Sequence, residues 1–195
     1  TGFVGKFHVT RTADMITRAH GFGDNYGGTF AERPIRYHAS GGRFGRAVGP
    51  NMTQFAHRYT REYVERNVAP YSQGVPQRDL DALVGTPKHI TDAVADAAVR
   101  VVDDAGRRPF FALVSPWAVH APTDASQARL DLRRKYGAKR PGRDPHQKGY
   151  AGLVEGVDQA VGRLLEHLRT TPDPRHPAET LAQNTVVVVT SDNGG

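Results

Sequence analysis

Thr91-Asp92-Ala93-Val94-Ala95-Asp96-Ala97-Ala98-Val99-Arg100-Val101-Val102-Asp103-Asp104-Ala105-Gly106, followed at once by Arg107-Arg108-Pro109-Phe110-Phe111-Ala112-Leu113-Val114-Ser115-Pro116, is the stretch that assigns the fold class. Val94, Ala97, Ala98, Val101, Val102 and Ala105 recur at helical spacing, Thr91 suits an N-cap, and Gly106 ends the run. Residues 109–115 are a short continuous apolar run closed by Pro116, which predicts a buried strand. Downstream, Leu153, Val154, Val157, Ala160, Val161, Leu164, Leu165 and Leu168 form one stripe, with Glu155, Asp158, Arg163 and Glu166 off it. That pattern predicts a second helix packing one face on a sheet. The Pro-rich segment 171–177 breaks it, and Thr185-Val186-Val187-Val188-Val189-Thr190 reads as a central buried strand. Strand, helix and strand in this order predict an α/β chain. Upstream, Phe55, Tyr59 and Tyr63 at spacing four predict a helix from about 53 to 66, and residues 21–50 read as loop. A central strand needs a neighbour on each side and a following connection, whereas six residues follow Val189. The sequence is therefore expected to be an excerpt of one larger domain, cut at both ends.

The composition fits such a chain: 195 residues, 38% hydrophobic and 24% charged, with 21 Gly, 13 Pro and no Cys. Collagen, coiled coil and disulfide scaffold are excluded. No stretch approaches the roughly 18 apolar residues of a membrane span, and residues 1–6 do not read as a signal peptide. The formal charge of +6 is local, because Arg129, Arg133, Arg134, Lys135, Lys139, Arg140, Arg143 and Lys148 face only Asp131 and Asp144. Residues 129–149 are read as an exposed basic insertion, either a solvated loop or an attractor of an anionic substrate.

Four pieces place polar groups at the ends of apolar runs, where α/β sheets build their sites. In Gly5-Lys6-Phe7-His8, Lys6 and His8 share one face if the segment is extended, pairing a compact cation with a titratable imidazole. The plainer reading is two surface side chains on an edge strand. In Ser115-Pro116-Trp117-Ala118-Val119-His120-Ala121-Pro122, two prolines hold a loop whose His120 could donate to a leaving group or merely bond the loop backbone. Asp192-Asn193-Gly194-Gly195 offers the oxygen ligands that Ca²⁺ and Mg²⁺ prefer, or an ordinary Asn-Gly turn. His20-Gly21-Phe22-Gly23-Asp24 lies in an aromatic, Gly-rich loop. No His-x-x-x-His pair and no Cys supports a zinc site.

Taken in order, these pieces resemble the sulfatase family of the alkaline-phosphatase-like superfamily. Gly5-Lys6-Phe7-His8 is similar to its Gly-Lys-x-His segment, His20 to Asp24 to its Gly-Phe-Asp loop with one extra Gly, and 109–111 leading to His120-Ala121-Pro122 to its strand and His-x-Pro turn. His89-Ile90-Thr91-Asp92, residues 150–158 and residues 184–195 resemble further family blocks. The resemblance implies a three-layer αβα sandwich with a mostly parallel central sheet, only partly covered by this chain. It implies a sulfuric ester hydrolase in which a formylglycine nucleophile attacks sulfur beside Ca²⁺, with Mg²⁺ as the other candidate. By matching positions, Lys6 would contact sulfate and the nucleophile, His8 would orient or deprotonate the nucleophile, and His120 would bind sulfate near the leaving oxygen. Asp192 and Asn193 would ligate the metal. The implied substrate is a small-molecule or glycan sulfate ester rather than nucleic acid, and periplasmic or secreted relatives leave export open.

The chain departs from the family where it lacks a Cys/Ser-x-Pro-x-Arg nucleophile segment, which is expected upstream. Thr170-Thr171-Pro172-Asp173-Pro174-Arg175 mimics it only superficially, with Arg one place late. The isolated chain is therefore expected to be inactive. The alternatives are a phosphatase or phosphonate monoester hydrolase on the same scaffold, and a non-catalytic anion-binding module.

Overall fold

Gly2–Gly5 forms the middle strand, β1, of a parallel sheet in the computed structural model, which describes residues 1–9, 11–31, 33–140 and 147–191. The chain continues through α1 (Asp14–Ala19), β2 (Asp24–Tyr26), α2 (Arg61–Asn67), α3 (Gln77–Asp81) and α4 (Ile90–Ala105). Then come β3 (Ala112–Ser115), α5 (Leu130–Gly137), α6 (Gln147–Thr170) and a hairpin of β4 (Pro172–Asp173) and β5 (His176–Thr180). The sheet order is β2-β1-β3, all parallel, so the chain is mixed α/β as expected.

The two faces of β1 obey its alternation. A Cβ on Gly2 would fall 2.4 Å from Val101, and Val4 is buried with Val94, Ala97 and Val101 of α4. Phe3 points the other way, meeting Phe7 and Phe22 edge-on, and it borders Gly28 together with buried Ile16 of α1. The helix of the quoted stretch runs over Ile90–Ala105 and stops at Gly106, whose φ of +55° suits glycine. Its N-cap is His89 rather than Thr91: the His89 ring accepts from the Thr91 amide at 3.3 Å. The strand 109–115 narrows to Ala112–Ser115 and is not buried, since it lies at the end of the sheet order with Phe111 and Leu113 exposed.

Other expectations are corrected. The loop 21–50 contains β2, too short and too polar at Asp24 and Asn25 to show alternation. The helix predicted over 53–66 is a 3-10 turn at Thr53–Phe55 and then α2, which begins after Thr60 caps it through the Tyr63 amide. Helix α6 packs on α4 and α5 rather than flat on the sheet, although Leu153 reaches the cluster of Val4 and Trp117. Its apolar stripe is narrower than expected: Val154 and Val161 are exposed, while Gln159 and Arg163 are buried. The strand predicted over 185–190 is unpaired among the described residues, and Val186, Val188 and Val189 are more than four-fifths exposed. A valine run buries itself only when a ladder receives it, and neither β2 nor β3 pairs with this one.

The segment 129–149 is not an exposed insertion in its first part. Arg129, Asp131 and Leu132 are buried at the start of α5, and residues 141–146 lie outside the described residues.

Candidate functional site

Residues Gly2 to Gly5 pair in parallel register with Ala112 to Ser115, so the two strands end side by side. The loops that leave the two strands therefore meet at one carboxyl edge of the sheet, where open α/β sheets place ligands. The Lys6 amide donates to the Ser115 carbonyl at 2.7 Å, locking the Lys6-His8 segment to the strand end that leads into the His120 loop. Gly5 makes this approach possible: its φ is +110°, and a Cβ there would lie 1.9 Å from the Ser115 carbonyl oxygen.

Lys6 is half-buried and His8 exposed. The pair does not lie on one face of an extended strand, because β1 ends at Gly5 and His8 adopts φ +50°. A left-handed histidine costs about 1 kcal/mol or more and persists where its surroundings hold it. Here its amide donates to the Thr29 carbonyl at 3.1 Å, joining the segment to the chain beyond β2. That neighbouring loop is tightly packed, since a Cβ on Gly27 would meet the Trp117 ring at 2.5 Å.

His120 sits at the half-exposed tip of the loop after β3. Its amide donates to the Trp117 carbonyl at 2.8 Å, and its Nδ1 approaches the Ala121 carbonyl at 3.3 Å. A carbonyl only accepts, so in this contact Nδ1 is the donor. The loop is held from below by Tyr37, a fully buried residue that no sequence motif marks. The Tyr37 hydroxyl, with its single proton, donates to the His120 carbonyl at 2.6 Å and lies 3.0 Å from the Trp117 carbonyl. Burial pushes the phenol well above its ordinary pKa, so it stays a donor. The Tyr37 ring stacks on His89 at 5.5 Å, and its amide donates to the Gln127 side chain at 3.2 Å.

Behind His89 lies a buried ionic network that no sequence motif marks either. Arg129 forms paired 2.8 Å bonds to Asp131 and reaches Asp92 at 3.0 Å, while the Tyr59 hydroxyl donates to Asp92. Lys88 pairs with Asp96 at 3.0 Å and lies 3.1 Å from the Tyr63 ring centre. Arg163 closes on Asp96 at 2.7 Å and on the Tyr63 hydroxyl at 2.9 Å. Burial raises the Asp92 pKa more than any single neighbour lowers it, but Arg129, Arg163 and the Tyr59 hydroxyl together with the His89 ring outweigh it and hold the carboxyl well below the usual range. The His89 ring donates from Nε2 to the Gln127 carbonyl at 2.9 Å while its Nδ1 accepts from Thr91, and burial lowers its pKa to about 3. The sequence points the other way: Asp92, Asp96, Arg100 and Asp103 recur at the spacing of a solvent-facing stripe, and only the partners brought by other elements take the first two inside.

Lys6, His8 and His120 are thus carried on adjacent, bonded segments. Asp192 and Asn193 lie outside the described residues, and among the described residues no three His, Asp or Glu side chains gather as a metal site requires. Their carboxylate and carboxamide oxygens are the hard donors that suit Ca²⁺ or Mg²⁺. The segment 170–175 is the end of α6 and the β4–β5 hairpin, where Arg175 makes paired bonds to Asp173 at 2.9 and 3.0 Å. This arginine is spent on a turn.

The family model described as Sulfatase matches residues 2–195. A curated protein described as Sulfatase, from Formosa agariphila, is 38% identical over 148 residues, which make up 74% of this chain and 26% of that protein. The chain thus spans about a quarter of that relative's length. Among solved structures, Ps i-CgsB in complex with k-i-k-neocarrahexaose, and the same protein described without that ligand, each align at 25% identity with a TM-score of 0.47. Each alignment covers 86% of this chain and 33% of the other.

Proposed function

We propose, from the premise that this chain belongs to the sulfatase family, that it is the part of a catalytic domain which binds and activates a sulfate ester, and that the intact protein hydrolyses such esters. The observation that supports this reading most is the in-register pairing of β1 with β3, joined by the Lys6 amide to the Ser115 carbonyl, which brings the Lys6-His8 segment beside the His120 loop.

In this reading the Lys6 ammonium binds an equatorial sulfuryl oxygen, where charge accumulates as the S–O bond to the leaving group breaks. A preorganised cation lowers that barrier more than mobile water does. His120 lies near the leaving oxygen and, through a ring N–H, supplies the proton that the departing alkoxide or phenoxide needs. His8 orients or deprotonates the nucleophile, a formylglycine expected outside this chain that supplies a geminal hydroxyl for attack on sulfur. Asp192 and Asn193 would hold a Ca²⁺ or Mg²⁺ ion, which supplies Lewis-acid polarisation of the sulfuryl group. The substrate class is a small-molecule or glycan sulfate ester.

The test is inorganic sulfate release from an aryl sulfate by the intact protein, with phosphate release from the corresponding aryl phosphate measured in parallel. Lys6→Ala and His120→Ala are each expected to lower kcat by about 10²–10³-fold. A protein that turns over the phosphate ester and leaves the sulfate ester untouched would overturn the sulfatase reading.

A further inference from the structure

A second charged feature lies apart from the Lys6-His8 and His120 segments. Between α3 and α5 is a cleft of about 720 Å³ whose lining includes Arg78, Arg134, Lys135 and Lys139 with Asp79 as its one carboxylate. Two of these cations are already engaged. Lys135 bonds the Glu155 carboxylate at 2.8 Å and the Gln73 carbonyl at 2.7 Å, and Arg134 reaches Asp79 at 3.0 Å. Arg78 and Lys139 are exposed, and among the described residues neither has a carboxylate within ion-pair distance. Lys139 lies against the Tyr136 ring, 4.6 Å from its centre. Cations held around a cleft with too few counter-charges repel one another and focus a positive potential into it.

We infer that this cleft is a docking site for a sulfated polymer, engaging anionic groups of a chain through Arg78 and Lys139, with Arg134 as a third contact. The choice of a sulfated polymer over other polyanions rests on the sulfatase reading above; the site itself rests on the cleft and its charge. Its lining holds no aromatic side chain on which nucleic-acid bases would stack. Such a site would hold a long substrate by a part that does not react, raising apparent affinity for polymers without changing turnover of small esters.

The experiment measures binding of dextran sulfate, with uncharged dextran and duplex DNA as comparators, to the intact protein, to R78E/K139E, and to R66E/R169E, which removes the same charge elsewhere. Thermal unfolding of each variant shows that it remains folded. The expected result is binding of dextran sulfate alone, weakening with salt, and a loss of roughly tenfold or more in R78E/K139E against little change in R66E/R169E. Equal losses in both variants, or DNA binding as tight as dextran sulfate, would overturn the inference. Aryl sulfate turnover, measured beside it, is expected to be unchanged in R78E/K139E. If the wild-type protein turns over no sulfate ester but the cleft-dependent binding stands, the functional reading fails and the cleft does not.

Discussion

Gly5 is where backbone sterics and the candidate site meet. Its positive φ and the 1.9 Å approach that a Cβ would make to the Ser115 carbonyl leave no room for a side chain. Gly5→Ala is expected to lower unfolding stability by about 2–4 kcal/mol, through left-handed strain plus loss of the close strand ending; denaturant titration measures it. A neutral result would mean that β1 and β3 do not end as described. Tyr37 acts at the same scale. Tyr37→Phe keeps the ring on His89 but leaves the His120 carbonyl without its buried donor, at about 1–3 kcal/mol. Faster amide exchange confined to residues around 117–122 is expected, and unchanged exchange there would contradict the clamp. Neither role is legible in the sequence. Gly5 shows only as part of a motif, and Tyr37 stands in a stretch without periodicity, its partner His120 eighty-three positions away.

Helices α4, α5 and α6 are joined by the network of Asp92, Asp96 and Asp131 with Lys88, Arg129 and Arg163, three carboxylates and three cations of which all but the partly buried Asp96 are buried. Breaking such a set leaves charges unpaired in a poorly solvated place. Arg129→Met is expected to destabilise the fold by about 3–5 kcal/mol, whereas a surface pair such as Arg66 with Glu62 is worth under about 1 kcal/mol. Similar losses from Arg129→Met and Arg66→Met would refute the buried network. The same elements set a pH dependence. His89 is held neutral, its folded pKa of about 3 lying below the ordinary 6.5, so the unfolded chain binds the extra proton. Stability is therefore full above pH 6.5 and falls on acidification toward pH 3, by about 1.4 kcal/mol per pH unit from this group. Asp92, depressed below 3.8, adds a further loss below about pH 4. Unfolding measured from pH 7 to 4 is expected to show this slope, with His89→Gln flattening it; an unchanged slope would remove His89 as its source. At this scale the sequence is half legible. The apolar spacing locates α4 and α6, but burial of Arg163 and Gln159 runs against residue type and depends on partners in other elements.

For the whole molecule, the α/β class is readable because helix and strand succeed each other directly at Gly106 and Pro109. The valine run misleads because an apolar run says nothing about whether a neighbour pairs with it: Val186 to Val189 are unpaired among the described residues and exposed here. The basic segment reads as one solvated stretch, yet Arg129 is the centre of the buried network while Arg133 stays in water. Charge along a sequence does not say which cations a fold takes inside. The adjacency of the Lys6-His8 segment and the strand that leads into the His120 loop depends on a parallel register that no local pattern encodes. The central claim is a sulfatase-type site completed by a nucleophile outside this chain. Tandem mass spectrometry of the intact native protein tests it most directly, through a search for a peptide with Cys/Ser-x-Pro-x-Arg spacing that carries formylglycine. The predicted result is the aldehyde or its hydrate at the first position of that peptide; an unmodified, unrelated residue throughout the protein would contradict it.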